Sequence, residues 1–458
     1  MKSTNTTKIS TYRKILAKEP LYLQVADRYK KFHKKISVSE DTYLHVFAPV
    51  LIEFVKWVLN TAINDGKKRL YFLSRDGYQM YLAARKLADI NGIDIECRYL
   101  NVSRYALRVP EYHLIQEKCL ARICIGGIDV TFEKVMRRAG LTDEEGREVA
   151  KLCGYEESYS DVISYRQVMD LKDILRKQSS FLEYVYKHSR ESYESALGYL
   201  KQEGLLDEIP YAIVDSGWIG TLHQSLNNLL KSCGKDQKMY GYYFGLYETP
   251  KDSTDIYKAY FFEPGGDIVK KVNFSNCLFE AVFTSTEGMT LRYEETSDGY
   301  KPFFDNKVNP NEKLVQRHIE LLQEYIGIYS EEVARCGNIT ELKKGSTNDD
   351  TLKMVEKLLK NMMGSPSREE LEAYGNSQFS DDVLEGSLQK VAAELSDEEI
   401  RNQRFINKAL IMTGLKKGII HESAWIEGSI VRNGKKIKAN LRHAKVYKYF
   451  VYIRKMFR

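Results

Sequence analysis

Two short turns in this 458-residue chain hold the residue types that handle phosphate and hydroxyl groups. The first is Ser74-Arg75-Asp76-Gly77, directly after the apolar run RLYFL (69–73). Arginine presents a planar fork of donors to a phosphate, aspartate binds magnesium or a hydroxyl, and glycine lets the backbone approach a ligand. The second is Asp215-Ser216-Gly217-Trp218-Ile219-Gly220-Thr221, at the end of the strand-like YAIVD (211–215). Here an aspartate closes the apolar run and two glycines free the backbone. Thr221 opens the amphipathic stretch TLHQSLNNLLKS, a helix whose N-terminus favours a phosphate. Either turn alone resembles an ordinary strand-to-helix loop. On two strands of one sheet, they favour a phosphate site at the carboxyl ends of the strands. No lysine follows the glycines in the Walker pattern and no GxGxxG occurs, so the common nucleotide loops are poor matches.

The elements that must position these turns follow from hydrophobic periodicity. In PVLIEFVKWVLNTAIND (49–65), apolar groups at 51, 54, 55, 58 and 62 have helical spacing, closed by Asn64-Asp65-Gly66. RLYFL then predicts a buried strand, YQMYLAARKLADI a helix, and IECRYLNV (95–102) a second strand, the pattern of a βαβ unit with a parallel sheet. Helices are expected near 111–122, 143–153 and 181–202, and strands at 211–215, 238–247 and 257–262. Beyond Ser297 the pattern predicts a loop and then long helices to 415, one opened by a capping box at Ser367–Glu370. The expected organisation is an N-terminal helical segment (1–66) and an α/β core (67–295) with a helical insertion over 110–207. A helical C-terminal region (296–427) and a basic tail (428–458) follow.

Composition narrows the function. The 43% hydrophobic content and only 9 prolines exclude a largely disordered chain. No run of eighteen or more uncharged apolar residues occurs, which argues against a membrane-spanning helix. The opening MKSTNTTKISTYRKILAKEP has no apolar signal core, so the expectation is a cytoplasmic chain. Seven cysteines without a CxxC pair suit neither a disulfide framework nor a zinc site. The net charge of +6 is unevenly spread: ten Lys or Arg residues and no acid lie between Gly428 and Arg458, leaving the body slightly acidic. That argues against a nucleic-acid partner, which needs a basic face on the folded body. The tail interleaves its cations with Tyr447, Tyr449, Phe450 and Tyr452, and is either a peripheral anchor on anionic lipid or a basic helix packed on the body.

The second turn resembles the phosphoribosyl diphosphate (PRPP) loop of type I phosphoribosyltransferases, and the first resembles their diphosphate-binding loop. A longer resemblance runs through APVLIEFVKW, RLYFLSRDGY, YLNVSRYALRVP, VDSGWIGTLHQSL and LFEAVFTSTEGMT, over residues 40–295. This ordered set is similar to a module from bacterial surface-polysaccharide gene clusters, often following a haloacid-dehalogenase-like phosphatase domain. The resemblance implies a PRPP-dependent glycosyltransferase that moves 5-phosphoribosyl to a glycan or lipid-linked oligosaccharide. A phosphatase then leaves ribofuranose. The phosphatase motif of the DxDT type is absent, so the phosphatase would be a separate partner. The chain departs from the phosphoribosyltransferase pattern in having one acid, Asp215, where two adjacent acids are usual.

The resemblance implies the fold class, an α/β type I phosphoribosyltransferase-like parallel sheet, and the roles. Ser74, Arg75, Gly77, Ser103, Arg104, Ser216, Gly217, Trp218, Gly220 and Thr221 would bind the donor, with Mg²⁺ at Asp76 and Asp215. Asp76 or Asp215 would be the base, and Glu280 and Glu287 would meet the acceptor sugar. Arg108, four residues after Arg104, is either a second diphosphate ligand or a surface arginine, and Trp218 either a lid over the donor or a packing anchor. The alternatives are a glycosyltransferase using a nucleotide sugar in the same cleft, and a non-catalytic PRPP-sensing or scaffold subunit.

Overall fold

A computed structural model describes residues 5–127, 129–251, 253–306, 309–336, 349–380, 383–384 and 388–456. Phe457 and Arg458, which close the basic tail, lie outside the described residues. The centre is a five-stranded sheet of β1 (Arg69–Leu73), β2 (Glu96–Leu100), β3 (Tyr211–Trp218), β4 (Tyr240–Leu246) and β5 (Ile256–Phe262). Its order is β2-β1-β3-β4-β5 and every adjacent pair is parallel. The chain is therefore α/β, as its alternation of strand and helix patterns predicts.

The helices needed below are α1 (Val38–Asn64), α2 (Gly77–Asn91), α3 (Arg104–Ile115), α4 (Ser179–Gln202), α5 (Thr221–Ser232), α6 (Asn276–Phe283), α7 (Phe405–Met412) and α8 (Ile437–Met456). Side chains alternate across a strand, and here each face feeds a different core. Leu70, Phe72, Ala212 and Val214 join α1 and α2 in a large core that also takes in Tyr12, Tyr22, Leu358 and Trp425 from the two ends of the chain. Tyr71, Leu73 and Ile213 face the other way, onto Leu107 of α3, Leu200 of α4 and Leu226, Leu229 and Leu230 of α5. The insertion builds a third core around Phe132, Met136 and Leu171, seated on Val109 and Tyr112 of α3 and Phe181 of α4.

The helix after β1 thus lies on one face and the helix after β3 on the other. β1 and β3 are adjacent, so the crossovers diverge between them and open a crevice at their carboxyl ends. The sequence placed both functional turns at this edge.

Four features differ from the sequence expectation. β3 does not stop at Asp215 but runs to Trp218, because Gly217 and Trp218 pair with Gly245 and Leu246 of β4. α3 begins at Arg104, not near 111. Pro110 sits inside it, its missing backbone bond outweighed by the buried side chains around it. The stretch beyond Ser297, expected to be loop, instead forms β7 (Gly299–Phe304), the second strand of an antiparallel hairpin with β6 (Thr290–Thr296), closed at Ser297-Asp298 with Gly299 at φ +108°. Finally, α1 is long and apolar enough to cross a membrane by length and composition, although most of it is buried by the rest of the protein. Glu53 and Lys56 interrupted its apolar run in the sequence. In the fold the Glu53 carboxylate is buried, accepting from the Tyr22 hydroxyl and from Lys56 Nζ.

The two-face core gives a stability contrast. Leu229→Ala, fully buried in α5, is expected to cost about 2–5 kcal/mol in chemical denaturation. Leu152→Ala, 53% exposed on the insertion, should change stability by less than about 0.5 kcal/mol.

Candidate functional site

The crevice brings the two turns into direct contact. Ser216 lies on β3 with its side chain buried, and its hydroxyl donates to Asp76 Oδ2 at 2.7 Å across the β1–β3 boundary. Asp215 and Asp76 are both half-buried. Burial raises the Asp215 carboxyl from its ordinary 3.8 to about 7, and the neighbouring charge of Asp76 adds to the rise. The backbone N–H groups of Ser216 and Gly217 and the charge of Arg104 work against it. Asp76 is raised by burial too, with Ser216, Arg75 and Arg104 pulling it back.

Glu280 of α6 is the third acid. Burial and the charge of Asp76 raise it, while the Trp218 indole N–H that donates to its Oε1 and the charges of Arg104 and Arg75 lower it. Arg104 therefore lies within electrostatic reach of all three acids. Burial raises all three carboxyls, and the charge of Asp76 adds to the rise at Asp215 and Glu280; such a cluster is a candidate for handling protons or cations.

The opposite charge enters through α3. The Ser103 hydroxyl caps its N-terminus, accepting from Ala106 N at 2.9 Å and donating to the Thr290 carbonyl at 2.6 Å. Arg104 is exposed in the first turn, and Arg108, one turn on, is 5% exposed. Arg108 donates one Nη to Thr221 Oγ1 at 3.1 Å, at the start of α5, while its Nε and other Nη are buried with no partner. Burial lowers its pKa to about 10; Arg104 and Arg122 push the same way, with Tyr112 and Glu111 opposing. A buried guanidinium with unused donors beside a helix N-terminus is a place where an oxyanion gains charge, hydrogen bonds and helix dipole together.

A polar network fixes this arrangement. Buried Glu111 of α3 accepts from Arg122 at 2.6 Å and from Asn228 of α5, and Arg122 also reaches Ser225 and Gln224 of α5. The two helices that carry Arg108 and Thr221 are thereby tied side by side.

Each residue singled out from the sequence now has a place. Asp76, Asp215, Ser216, Arg75, Arg104, Thr221 and Glu280 converge on the crevice. Gly220 takes φ +63° to start α5, and a Cβ there would meet the Tyr257 ring at 2.7 Å. Gly217, at φ +110°, lies against the Gly245 carbonyl. It serves the β3–β4 ladder, and its N–H and that of Ser216 turn to Asp215, so these amides do not form an open phosphate cradle. Gly77 lets α2 pass close to Phe72. The Ser74 hydroxyl clamps β1 to β2 through the Val102 backbone, at 2.7 and 3.0 Å, and Ser103 is a helix cap. Trp218 is an anchor and not a lid: its ring packs among Tyr247, Phe262, Phe274 and Phe279, which offsets the strain of φ +75° at a bulky residue. Glu287 is exposed and accepts from the Tyr99 hydroxyl at 3.1 Å. His223 is buried, bonded to Tyr243 at 2.7 Å and set 3.4 Å from Asp255.

Arg108 was left undecided between surface and site, and its spacing of four from Arg104 on one helix face was the available signal. Hard oxygen donors at Asp76, Asp215 and Ser216 suit Mg²⁺. Among the described residues no group of three His, Cys, Asp or Glu is arranged to hold an ion. A magnesium here would take oxygens from substrate and water. Comparison with protein-family models and with curated proteins finds no match to this chain.

Two experiments follow from the charges. Arg108→Met keeps the shape while removing two unpartnered buried nitrogens, so the ligand-free melting temperature should hold or rise. Binding of added inorganic phosphate, read by calorimetry, should weaken about 10-fold or more. An arginine that only holds α3 to α5 would give the opposite pattern. For Asp215, the folded protein binds the proton more tightly than the unfolded chain, so its ionisation costs stability as pH rises from about 4 to 7. Asp215→Asn should gain melting temperature relative to wild type across that interval, with the gain levelling off above it.

Proposed function

We propose that this protein is a PRPP-dependent glycosyltransferase of the phosphoribosyltransferase-like kind, acting in bacterial surface-polysaccharide synthesis. The observation that carries this reading is the meeting of Asp76 and Asp215 with Arg104 and Arg108 where β1 and β3 part. A donor with a phosphate, a vicinal diol and a diphosphate leaving group uses all of these groups. Supporting it further is the ordered set of sequence segments that resembles the polysaccharide module.

In this reading the 5-phosphate lies at the start of α5, against Thr221 and Arg108, and Asp215 or Asp76 accepts from the ribose hydroxyls. Arg75 and Arg104 face the diphosphate. The acceptor hydroxyl oxygen bonds to the anomeric carbon as the carbon–oxygen bond to diphosphate breaks. Positive charge gathers on the ribose and negative charge on the leaving group, which the two arginines stabilise. The hydroxyl proton passes to a carboxylate. Asp215, with a pKa of about 7, is matched to that task at neutral pH. Attack opposite the leaving group turns the α-donor into a β-linked phosphoribosyl product, and a separate phosphatase would remove the phosphate. Asp76 and Asp215 would hold Mg²⁺, which when bound supplies further charge neutralisation for the diphosphate.

Glu280 and Glu287 would meet the acceptor hydroxyl, and a separate cavity beside α3, lined by none of the crevice acids, would take more distant sugars of the glycan. A cavity of about 580 Å³ lies between α3, the insertion, α4 and the β6–β7 hairpin, lined by Tyr105, Arg137, His188, Ser192, Arg292 and Tyr293 among others. Its mixture of aromatic faces and hydrogen-bonding groups suits a sugar.

Calorimetry with PRPP and Mg²⁺, beside a panel of nucleotide sugars, tests the donor. PRPP binding that is lost in Asp215→Ala is expected, and Asp215→Asn should slow diphosphate release with an acceptor glycan by roughly 10²–10⁴-fold. Binding of a nucleotide sugar with none of PRPP would overturn the phosphoribosyl assignment. PRPP binding with no turnover on any glycan would favour the sensing subunit.

A further inference from the structure

α7 is built inside out. Its sequence, FINKALIM, contains one charged residue, Lys408, and that is the residue the fold buries. Lys408 Nζ donates to Gln403 Oε1 at 2.9 Å, pairs with Glu422 at 3.1 Å and lies 4.5 Å over the Tyr447 ring. Several apolar side chains face out, while Phe405, Leu410 and Ile411 are half-buried. Ile406 and Met412 are each 64% exposed, and in the turn that follows Leu415 is 78% and Ile419 68% exposed. Residues 412–419 are exposed without a break.

The charges around this patch have one sign. Arg404, Lys416 and Lys417 lie within or beside it, and no acid occurs from 403 to 421. The nearest acids are already engaged: Glu399 with His421, and Glu422 with Lys408. α7 is also seated on the basic helix α8. Phe405 stacks on Phe450 at 5.0 Å, Tyr447 reaches the Met412 sulfur at 3.3 Å, and α8 presents Lys438, Arg442 and Arg454 to solvent.

α8 is itself no free anchor. It is a helix docked on the body, with Tyr452 stacked on Tyr247 and with Lys448 and Lys455 paired to Glu427 and Glu248. What remains free is the α7 tip, an exposed apolar wedge inside a cationic rim. This combination fits the boundary between the headgroups and acyl chains of an anionic bilayer.

We infer that α7 and residues 413–420 dock the protein on an anionic lipid surface, with Leu415, Ile419 and Met412 inserted and the α8 cations above the headgroups. The inference stands apart from the donor chemistry and would survive its failure.

Co-sedimentation of the full chain with phosphatidylglycerol-containing vesicles, against phosphatidylcholine vesicles, is the test. Binding to the anionic vesicles should exceed binding to the neutral ones at least tenfold and weaken with salt. Leu415→Asp with Ile419→Asp, and separately Lys416→Glu with Lys417→Glu, should each reduce it about tenfold. These positions are exposed, so the thermal melt should not move, and a melt that did would be replaced by the single variant Leu415→Ser. Undiminished binding by the Asp pair would overturn insertion, as would equal binding to both vesicle types or to neither. A dimer in sedimentation velocity that dissolves in Leu415→Asp would assign the patch to a second copy of the chain instead.

Discussion

The pairing of β1 with β3 is the constraint on which the rest depends. Its register sets Phe72 opposite Val214, so β1 ends at Leu73 while β3 runs on to Trp218, and the turn after β1 brings Asp76 against Ser216 of that overhang. Because the following helices go to opposite faces, nothing in the sheet fills the gap between the turns. A slip of one residue would exchange the two faces of β1 and separate Asp76 from Ser216. The alternation of Leu70 and Phe72 against Tyr71 and Leu73, each locked into a different core, forbids that slip. Core packing thus sets the geometry of the polar site, although none of the core residues touches it.

The crevice is electrostatically unfinished. Three acids crowd together and resist ionising, and a buried arginine keeps donors without partners. Each feature is costly in the empty protein, since a buried charge needs compensation it has not received. The costs are of opposite sign and lie in one crevice, so a ligand with hydroxyls or a cation at one end and phosphate at the other relieves both. The Glu111–Arg122 network absorbs none of this imbalance. It is saturated with its own partners and acts as a brace that keeps α3 beside α5.

The strands were legible because RLYFL, YAIVD and YKAYFF are apolar runs bounded by turn residues, and buried parallel strands look like that. The two turns were legible only as a pair, since each alone is an ordinary strand-to-helix loop and it is their place on two strands of one sheet that favours a site. The remainder was hidden by tertiary effects. Gly217 and Trp218 look like the start of a loop, and only the ladder to Gly245 and Leu246 keeps them in β3. The helix expected near 111–122 starts earlier, because the buried face of Leu107 and Tyr112 carries α3 across Pro110. The hairpin at 290–304 is half-exposed and polar, so its alternation was weak. Arg108 could be assigned to surface or site only once α5 was known to pack against α3.

The tail shows why charge along a chain is a poor map of charge in space. Ten cations after residue 427 left a lipid anchor and a helix packed on the body both open, and α8 takes the second form, using Lys448 and Lys455 to bind the body and turning Tyr452 onto Tyr247 at 5.6 Å with the rings nearly parallel. Tyr247 follows β4, and its ring lies 6.0 Å from that of Trp218, whose indole N–H holds Glu280 in the crevice. A continuous chain of packed rings therefore runs from the basic helix to one acid of the site. Aromatic rings in such contact shift together or not at all, because interiors packed at this density do not deform smoothly. Displacing α8 would thus have to disturb Trp218, a residue already held at φ +75° by its packing. The helix that carries the cationic surface is in this way part of the scaffold that aims Glu280, and removing it would alter the crevice even if the surface bound nothing.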